Sequence, residues 1–349
     1  MLIGINYPWI DYGWDFGNPP AAWVADENLS AWREAKRKQI EQDFLLFASQ
    51  GIFAVRWFLL ADGLNYGMGE FAPRKNGKSW SFNPLPGDHP FYARFLEDFE
   101  FVLQVCSKNK LRLFPSLIDF SWCHAGRPIP DHPEIVKGGR YQILRDPEKR
   151  RVFFERLLDP LIACSMQYRE LIYAWEIINE PEWVVRGFWR RGADRNVTRD
   201  EMMEFIADGI QRINSLRLAD GTPAFRTSVG FAHWKTLNKW DAERLGITLH
   251  QFHYYAQENH ELPANLYAVR SPCVVGEFAT ASGHDWPDLI EQDKHQTITN
   301  RLACIEAKGY PACFMWSAKA VDTATRWTED EQREVVAYSG SKLPDGIRV

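Results

Sequence analysis

Residues 173–181 read YAWEIINEP, an apolar run that ends in an amide, a carboxyl group and a proline. An ionised carboxylate buried without partners costs several kcal/mol or takes up a proton, so Glu180 is either well paired or present for its chemistry. A second carboxyl group, Glu277, ends a comparable run in VVGEF at residues 274–278. Two carboxyl groups facing each other across a pocket meet the demands of glycosidic-bond hydrolysis: one protonates the leaving oxygen and the other meets the developing oxocarbenium ion. The plainer alternative is a pair of structural carboxylates bonded to Arg56. Perturbed groups clustered in a cleft favour chemistry over that reading.

For residues so far apart in the chain to meet, the fold must bring them to a common rim. β-rich apolar runs at Leu2–Tyr7, Ile52–Leu60, Leu111–Asp119, Leu171–Asn179, Arg226–Ala232, Ile247–Tyr254, Cys273–Phe278 and Ala312–Trp316 alternate with segments of helical period. Phe95, Phe99, Val102 and Cys106 repeat at helical spacing, as do Met203, Ile206, Ile210 and Ile213, and Ile298, Leu302 and Ile305. Thr198–Glu201 forms a capping box, Asp146-Pro147 starts a helix, and Gly51 and Gly309 end theirs. Eight strand–helix alternations predict a single (β/α)8 TIM barrel spanning residues 1–349, with a last helix after Trp327. Connections from helix into strand are often short, whereas residues 8–30, 61–88, 120–145 and 180–197 form long connections from strand into helix. The elaborated rim is therefore the one at the strand C-termini, where barrel enzymes build their sites.

At those strand ends stand Arg56, Asn179 with Glu180, His253 with Tyr255, Glu277, and Trp316. This ordered set, with Asn179-Glu180-Pro181 on the fourth strand and Glu277 on the seventh, resembles the clan A glycoside hydrolases, family 5 and its neighbours in particular. The resemblance spans the whole barrel. It implies that Glu180 is the general acid/base and Glu277 the nucleophile of a retaining double displacement. It also implies that Asn179 bonds the sugar 2-hydroxyl, that His253 lies near the substrate, and that Trp316 floors the reacting subsite with a cis peptide to Ser317. Arg56 would lower the pKa of Glu277, and Tyr255 would donate to the same carboxylate. Many family 5 members carry a histidine near the end of strand three; here Asp119 or His124 takes its place.

Strand parity places Glu176 and Glu180 on one side and Asn179 on the other, so both active residues face the cavity only if the strand bends at its end. Glu176 reads as a buried partner of an arginine. His250 and His253, at odd separation, point to opposite strand faces, and no metal-ligand motif is present, so neither metal nor other cofactor is expected. Of 15 tryptophans, many fall at strand ends or in the loops beyond, where flat faces suit sugar rings; Trp9, Trp122 and Trp183 are candidates beside Trp316. Arg186, Arg190, Arg191 and Arg195 read as a solvated face or partner surface, and Arg33, Lys36, Arg37 and Lys38 as the wet side of the first helix.

Composition narrows the function classes. With 45% hydrophobic and 25% charged residues the chain is globular, not disordered. A net charge of −5 gives no basic footprint for nucleic acid, and no apolar run is long enough for a membrane helix. Six scattered cysteines serve as small hydrophobes, without disulfide or zinc spacing. The chain opens directly as a strand with no leader pattern, which predicts a cytoplasmic protein unless a leader precedes these residues. The expected partner is an oligosaccharide or polysaccharide, β-glucan or β-mannan in type; the oligomeric state is left open. A transglycosylase using the same two glutamates and a non-catalytic carbohydrate-binding barrel are the competing functions.

Overall fold

The computed structural model describes residues 1–11, 13–17, 24–66, 72–73, 80–130, 132–187, 196–255, 259–265, 272–279, 297–319 and 327–340. Its centre is eight parallel strands: β1 (Leu2–Asn6), β2 (Ala54–Phe58), β3 (Arg112–Asp119), β4 (Trp175–Asn179), β5 (Thr227–Gly230), β6 (His250–Tyr254), β7 (Cys273–Phe278) and β8 (Ala312–Met315). They pair in the order β6-β7-β8-β1-β2-β3-β4-β5. The ring closes between β5 and β6 through a parallel bridge from Phe231 to Phe252, where the His253 amide donates to the Phe231 carbonyl at 2.9 Å. The expected (β/α)8 barrel is therefore present. Strands β2, β3, β4, β5 and β6 start later than the apolar runs suggest. For β4 the reason is that Met166–Leu171 is a 3₁₀ turn, and a short apolar run cannot distinguish a helix end from a strand start.

Strands β2, β4 and β6 are buried at every residue, as expected for parallel strands covered on both faces. The barrel interior is layered. At its floor Ala54, Phe114, Ala174, Leu249, Val274, Ala312 and Phe314 pack with Tyr173 into an apolar plug. The rings of Phe114, Tyr173 and Phe314 meet with centroids 5.4–5.7 Å apart. Gly4 makes room for this plug, since a Cβ there would lie 2.4 Å from the Phe314 ring. Above the plug the inward residues become polar, and above them open the long loops.

Outside the strands, α1 (Leu29–Ser49), α2 (Pro90–Asn109), α3 (Pro147–Phe153), α4 (Asp159–Ser165), α5 (Arg199–Ser215), α6 (Ala242–Leu245), α7 (Ile298–Ala307) and α8 (Glu329–Gly340) supply the outer layer. Phe95, Phe99, Val102 and Cys106 are all buried on α2, and Ile206, Ile210 and Ile213 on α5. The capping box forms reciprocally: the Glu201 amide donates to Thr198 Oγ1 and the Thr198 amide to Glu201 Oε2. Asp146 caps α3 by accepting from the Glu148 and Lys149 amides. Gly51 and Gly309 follow their helices at φ +77° and +85°, a region in which glycine carries no steric penalty. Among the described residues all six cysteines are free thiols, and no helix is long and apolar enough to cross a membrane.

The first helix departs from expectation. Lys38 is exposed, but Lys36 is buried beneath the loop that follows β1, its Nζ 2.7 Å from Asp11 Oδ2 and 3.0 Å from Asp15 Oδ1. Asp15 also accepts from the Ile10 and Asp11 amides and from the Trp57 indole, so this ion pair ties the first active-rim loop to both a helix and a strand. The long loop covers a helix face that the charge pattern alone marks as solvated. Lys36→Ala leaves Asp15 buried without its cation and should cost about 3–5 kcal/mol in urea unfolding. A loss within about 0.5 kcal/mol, typical of surface substitutions, would return Lys36 to the solvent.

Candidate active site

One guanidinium organises the polar layer above the plug. Arg56 on β2 is fully buried. Its Nε and Nη2 donate to the two oxygens of Glu176 at 2.8 and 2.7 Å, Nη2 also to Asn179 Oδ1 at 2.7 Å, and Nη1 to Asn6 Oδ1 at 2.8 Å and Glu277 Oε1 at 2.7 Å. Burial works against its charge, but the Glu176 and Glu277 carboxylates hold it protonated beyond the ordinary guanidinium range. Glu176 is completed by the Ser116 hydroxyl at 2.6 Å and by the Gln251 amide. β5 contributes absence of bulk: a Cβ at Gly230 would lie 2.8 Å from Asn179 Oδ1 and 2.9 Å from both Arg56 Nη2 and Glu176 Oε1.

The parity conflict on β4 is resolved by backbone irregularity. Pairing with β5 shifts register between Glu176 and Asn179, so three steps along β4 oppose two along β5 and both side chains reach Arg56. The next residue, Glu180, leaves the strand at φ 46°, ψ 50°, and Pro181–Trp183 forms a 3₁₀ turn. This left-handed step turns the Glu180 carboxyl into the cavity. Asn179 is oriented from its other side by donating Nδ2 to Asp119 Oδ1 at 2.9 Å.

Glu180 and Glu277 meet over this base. His253 Nδ1 stands 2.6 Å from Glu180 Oε1 and 3.3 Å from Glu277 Oε2, and one donor atom from each of the three lies within 4.8 Å of the others. Glu180 Oε2 accepts from the Trp183 indole at 2.9 Å, and Glu277 Oε2 from the Tyr255 hydroxyl at 2.8 Å. Burial, reinforced by the Asp119 charge, pushes the Glu180 carboxyl up to about 8 against the Trp183 hydrogen bond and the more distant Arg56 charge. Burial also raises Glu277 above the usual carboxylate range; His253 and Arg56 oppose it, so the expected pull of Arg56 is present but outweighed. Only Glu277 bonds the guanidinium directly, so the negative charge of the pair rests there and the proton on Glu180. Burial lowers His253 to about 4, which leaves a neutral imidazole able to share that proton. These three groups could also present oxygens and a nitrogen to a divalent cation. The Arg56 cation and the Tyr255 hydroxyl already on Glu277 oppose that use.

The aromatic candidates divide. Trp316, whose peptide to Ser317 is cis, packs with Trp9 and the buried Phe58 at ring distances of 6.2 and 5.9 Å, and the two tryptophans keep part of their surface exposed. Trp183 stands beside Phe120 on the side of Glu180. Trp122 does not belong with them: it is fully buried, its indole donates to the Leu60 carbonyl, and it packs on Tyr66 and Phe153. Its place is under the long loops, because a large ring gains more by covering a loop interior than a rim. Arg56 and Asp119, expected at the substrate, lie one layer back. Arg56 has no exposed surface, and Asp119 gives its oxygens to Asn179 and to the Ser121 amide and hydroxyl. Arg186 is exposed, whereas Arg190, Arg191 and Arg195 fall outside the described residues.

Four residues of the site escaped the sequence reading: Asn6, Ser116, Gln251 and Glu182. Gln251 was accessible by period two from His253 and Tyr255, and Asn6 as the last residue of β1. Ser116 carried no signal. Glu182 is buried and pushed up to about 7 by that burial.

No protein-family model and no curated protein sequence matches the chain. Solved structures do match. The chain resembles an endo-1,4-β-mannanase from Eisenia fetida at 17% identity and TM-score 0.66, covering 97% of this chain and 91% of that one. It resembles a β-1,4-mannanase from Aplysia kurodai at 19% identity and TM-score 0.65, covering 100% and 95%. An exo-β-1,4-mannosidase from an Opitutaceae bacterium matches at 16% identity and TM-score 0.56, over 98% of this chain and 59% of that one. At these identities the likeness establishes a shared barrel fold.

Proposed function

We propose that this chain is a retaining β-glycoside hydrolase acting on β-mannan-type oligosaccharides or polysaccharides, with Glu180 as general acid/base and Glu277 as nucleophile. The observation that carries the reading is the spacing of the pair, with oxygens of Glu180 and Glu277 within 4.8 Å. Retaining enzymes hold their carboxyl groups about 5–5.5 Å apart, and inverting enzymes about 6.5–9.5 Å to admit a water. The mannan preference rests on the activities of the structural neighbours, which include an endo-mannanase and an exo-mannosidase.

The chemistry follows from which oxygens are engaged. Trp183 occupies Glu180 Oε2, so the proton sits on Oε1, shared with His253 Nδ1 until a glycosidic oxygen takes it. Glu277 keeps its Arg56 contact through Oε1, while Tyr255 can release Oε2 as that oxygen bonds the anomeric carbon. Formation of the ester removes the charge of Glu277. Glu180 then ionises more readily and takes a proton from the water that attacks the glycosyl–enzyme. Asn179, fixed by Arg56 and Asp119, is placed to bond a sugar hydroxyl, and Trp9 and Trp316 offer faces for the ring.

Three outcomes test this. NMR of a defined β-linked oligosaccharide digest should show the β-anomer first; the α-anomer as first product would overturn retention. Glu277→Ala should abolish turnover, and Glu180→Ala should lose about 10²–10⁴-fold with azide or formate restoring part of it. Rescue of neither variant by a small anion would sink the assignment. Free enzyme needs Glu180 protonated and Glu277 ionised, so kcat/KM should fall above about pH 8 as Glu180 loses its proton and fall again in acid as Glu277 gains one. An alkaline limb unchanged in Glu180→Gln would assign that limb to another group.

A further inference from the structure

Glu182 is a buried carboxyl group that the proposed chemistry does not use. Its Oε1 accepts from Thr236 Oγ1 at 2.5 Å and Trp240 Nε1 at 3.3 Å, and its Oε2 from the Ala232 amide at 3.1 Å. All three donors lie in the segment that follows β5. A buried carboxylate is a poor way to gain stability compared with an apolar side chain of similar size, so three converging donors argue for a geometric role.

The geometry in question is that of Glu180. Glu180 occupies a left-handed backbone conformation that L side chains avoid, and its amide donates to the Gly230 carbonyl at the end of β5. Trp183 closes the same turn, its amide bonded to the Glu180 carbonyl and its indole to Glu180 Oε2. Glu182 sits between these two residues and stakes the turn to the neighbouring strand's loop. Such a conformation persists only where its surroundings over-determine it.

We propose that Glu182 is a positioning residue, holding the turn that aims Glu180 and Trp183 at the leaving-group oxygen without itself touching substrate. This rests on Glu180 being the acid/base. A misaimed acid slows departure of a leaving group that needs a proton, and leaves departure of an activated phenolate nearly unaffected. A change in folded fraction lowers both rates alike. The two explanations therefore separate by substrate.

The experiment compares kcat/KM, which reports glycosylation, for a β-1,4-mannooligosaccharide and a dinitrophenyl β-mannoside. Glu182→Gln, whose amide nitrogen must face one of the three donors, should lose about 10²-fold on the oligosaccharide and less than about threefold on the activated glycoside. Thr236→Val and Trp240→Phe, each removing one donor, should show the same selectivity with smaller loss, and they decide the matter if Glu182→Gln fails to fold. Equal losses on both substrates, or no loss, would overturn the role of Glu182. Glu180→Ala losing equally on both substrates would overturn the acid/base assignment, and this role with it.

Discussion

The buried guanidinium of Arg56 is the constraint on which the polar interior depends. Taking one cation out of water is costly, and that cost is offset only if every N–H finds an acceptor and opposite charge lies in contact. Arg56 meets this condition with Glu176, Glu277, Asn6 and Asn179. The acceptors come from β4, β7 and β1, so satisfying one side chain fixes the mutual placement of strands distant in sequence. The strands cannot slip relative to one another without stranding a charge.

Charge balance explains why the two facing carboxyl groups differ. Within the layer Arg56 pairs with Glu176 and Glu277, and its guanidinium makes no ion pair with Glu180. Glu180, close to Asp119 and held by an indole N–H and a neutral imidazole, keeps its proton. The asymmetry that separates an acid from a nucleophile thus arises from which of the two touches Arg56.

Around this layer the barrel holds the geometry from below. The aromatic plug under Arg56 excludes water, and Gly4 and Gly230 admit neighbours that any side chain would displace. Above, the turn after β4 carries both Glu180 and Trp183, and its attachment to the segment after β5 lies next to the seam where the ring closes between β5 and β6.

Eight parallel strands, the elaborated rim and the two glutamates that meet there were legible in the chain, because parallel strands buried on both faces leave continuous apolar runs and polar residues stand out at their ends. Helix caps were legible for the same local reason. What the order of residues could not express was the third dimension of the strand end: ideal parity sends Asn179 away from Glu176, and only a register shift against β5 reverses it. Nor could it separate Trp122 from Trp183, since both are tryptophans beyond a strand and their difference is what packs over them. Lys36 likewise reads as solvated until a loop covers it. Local pattern determines which residues are available at the rim. Tertiary packing decides which of them face the cavity, because burial, hydrogen-bond partners and charge balance belong to strands that adjoin only when the ring is closed.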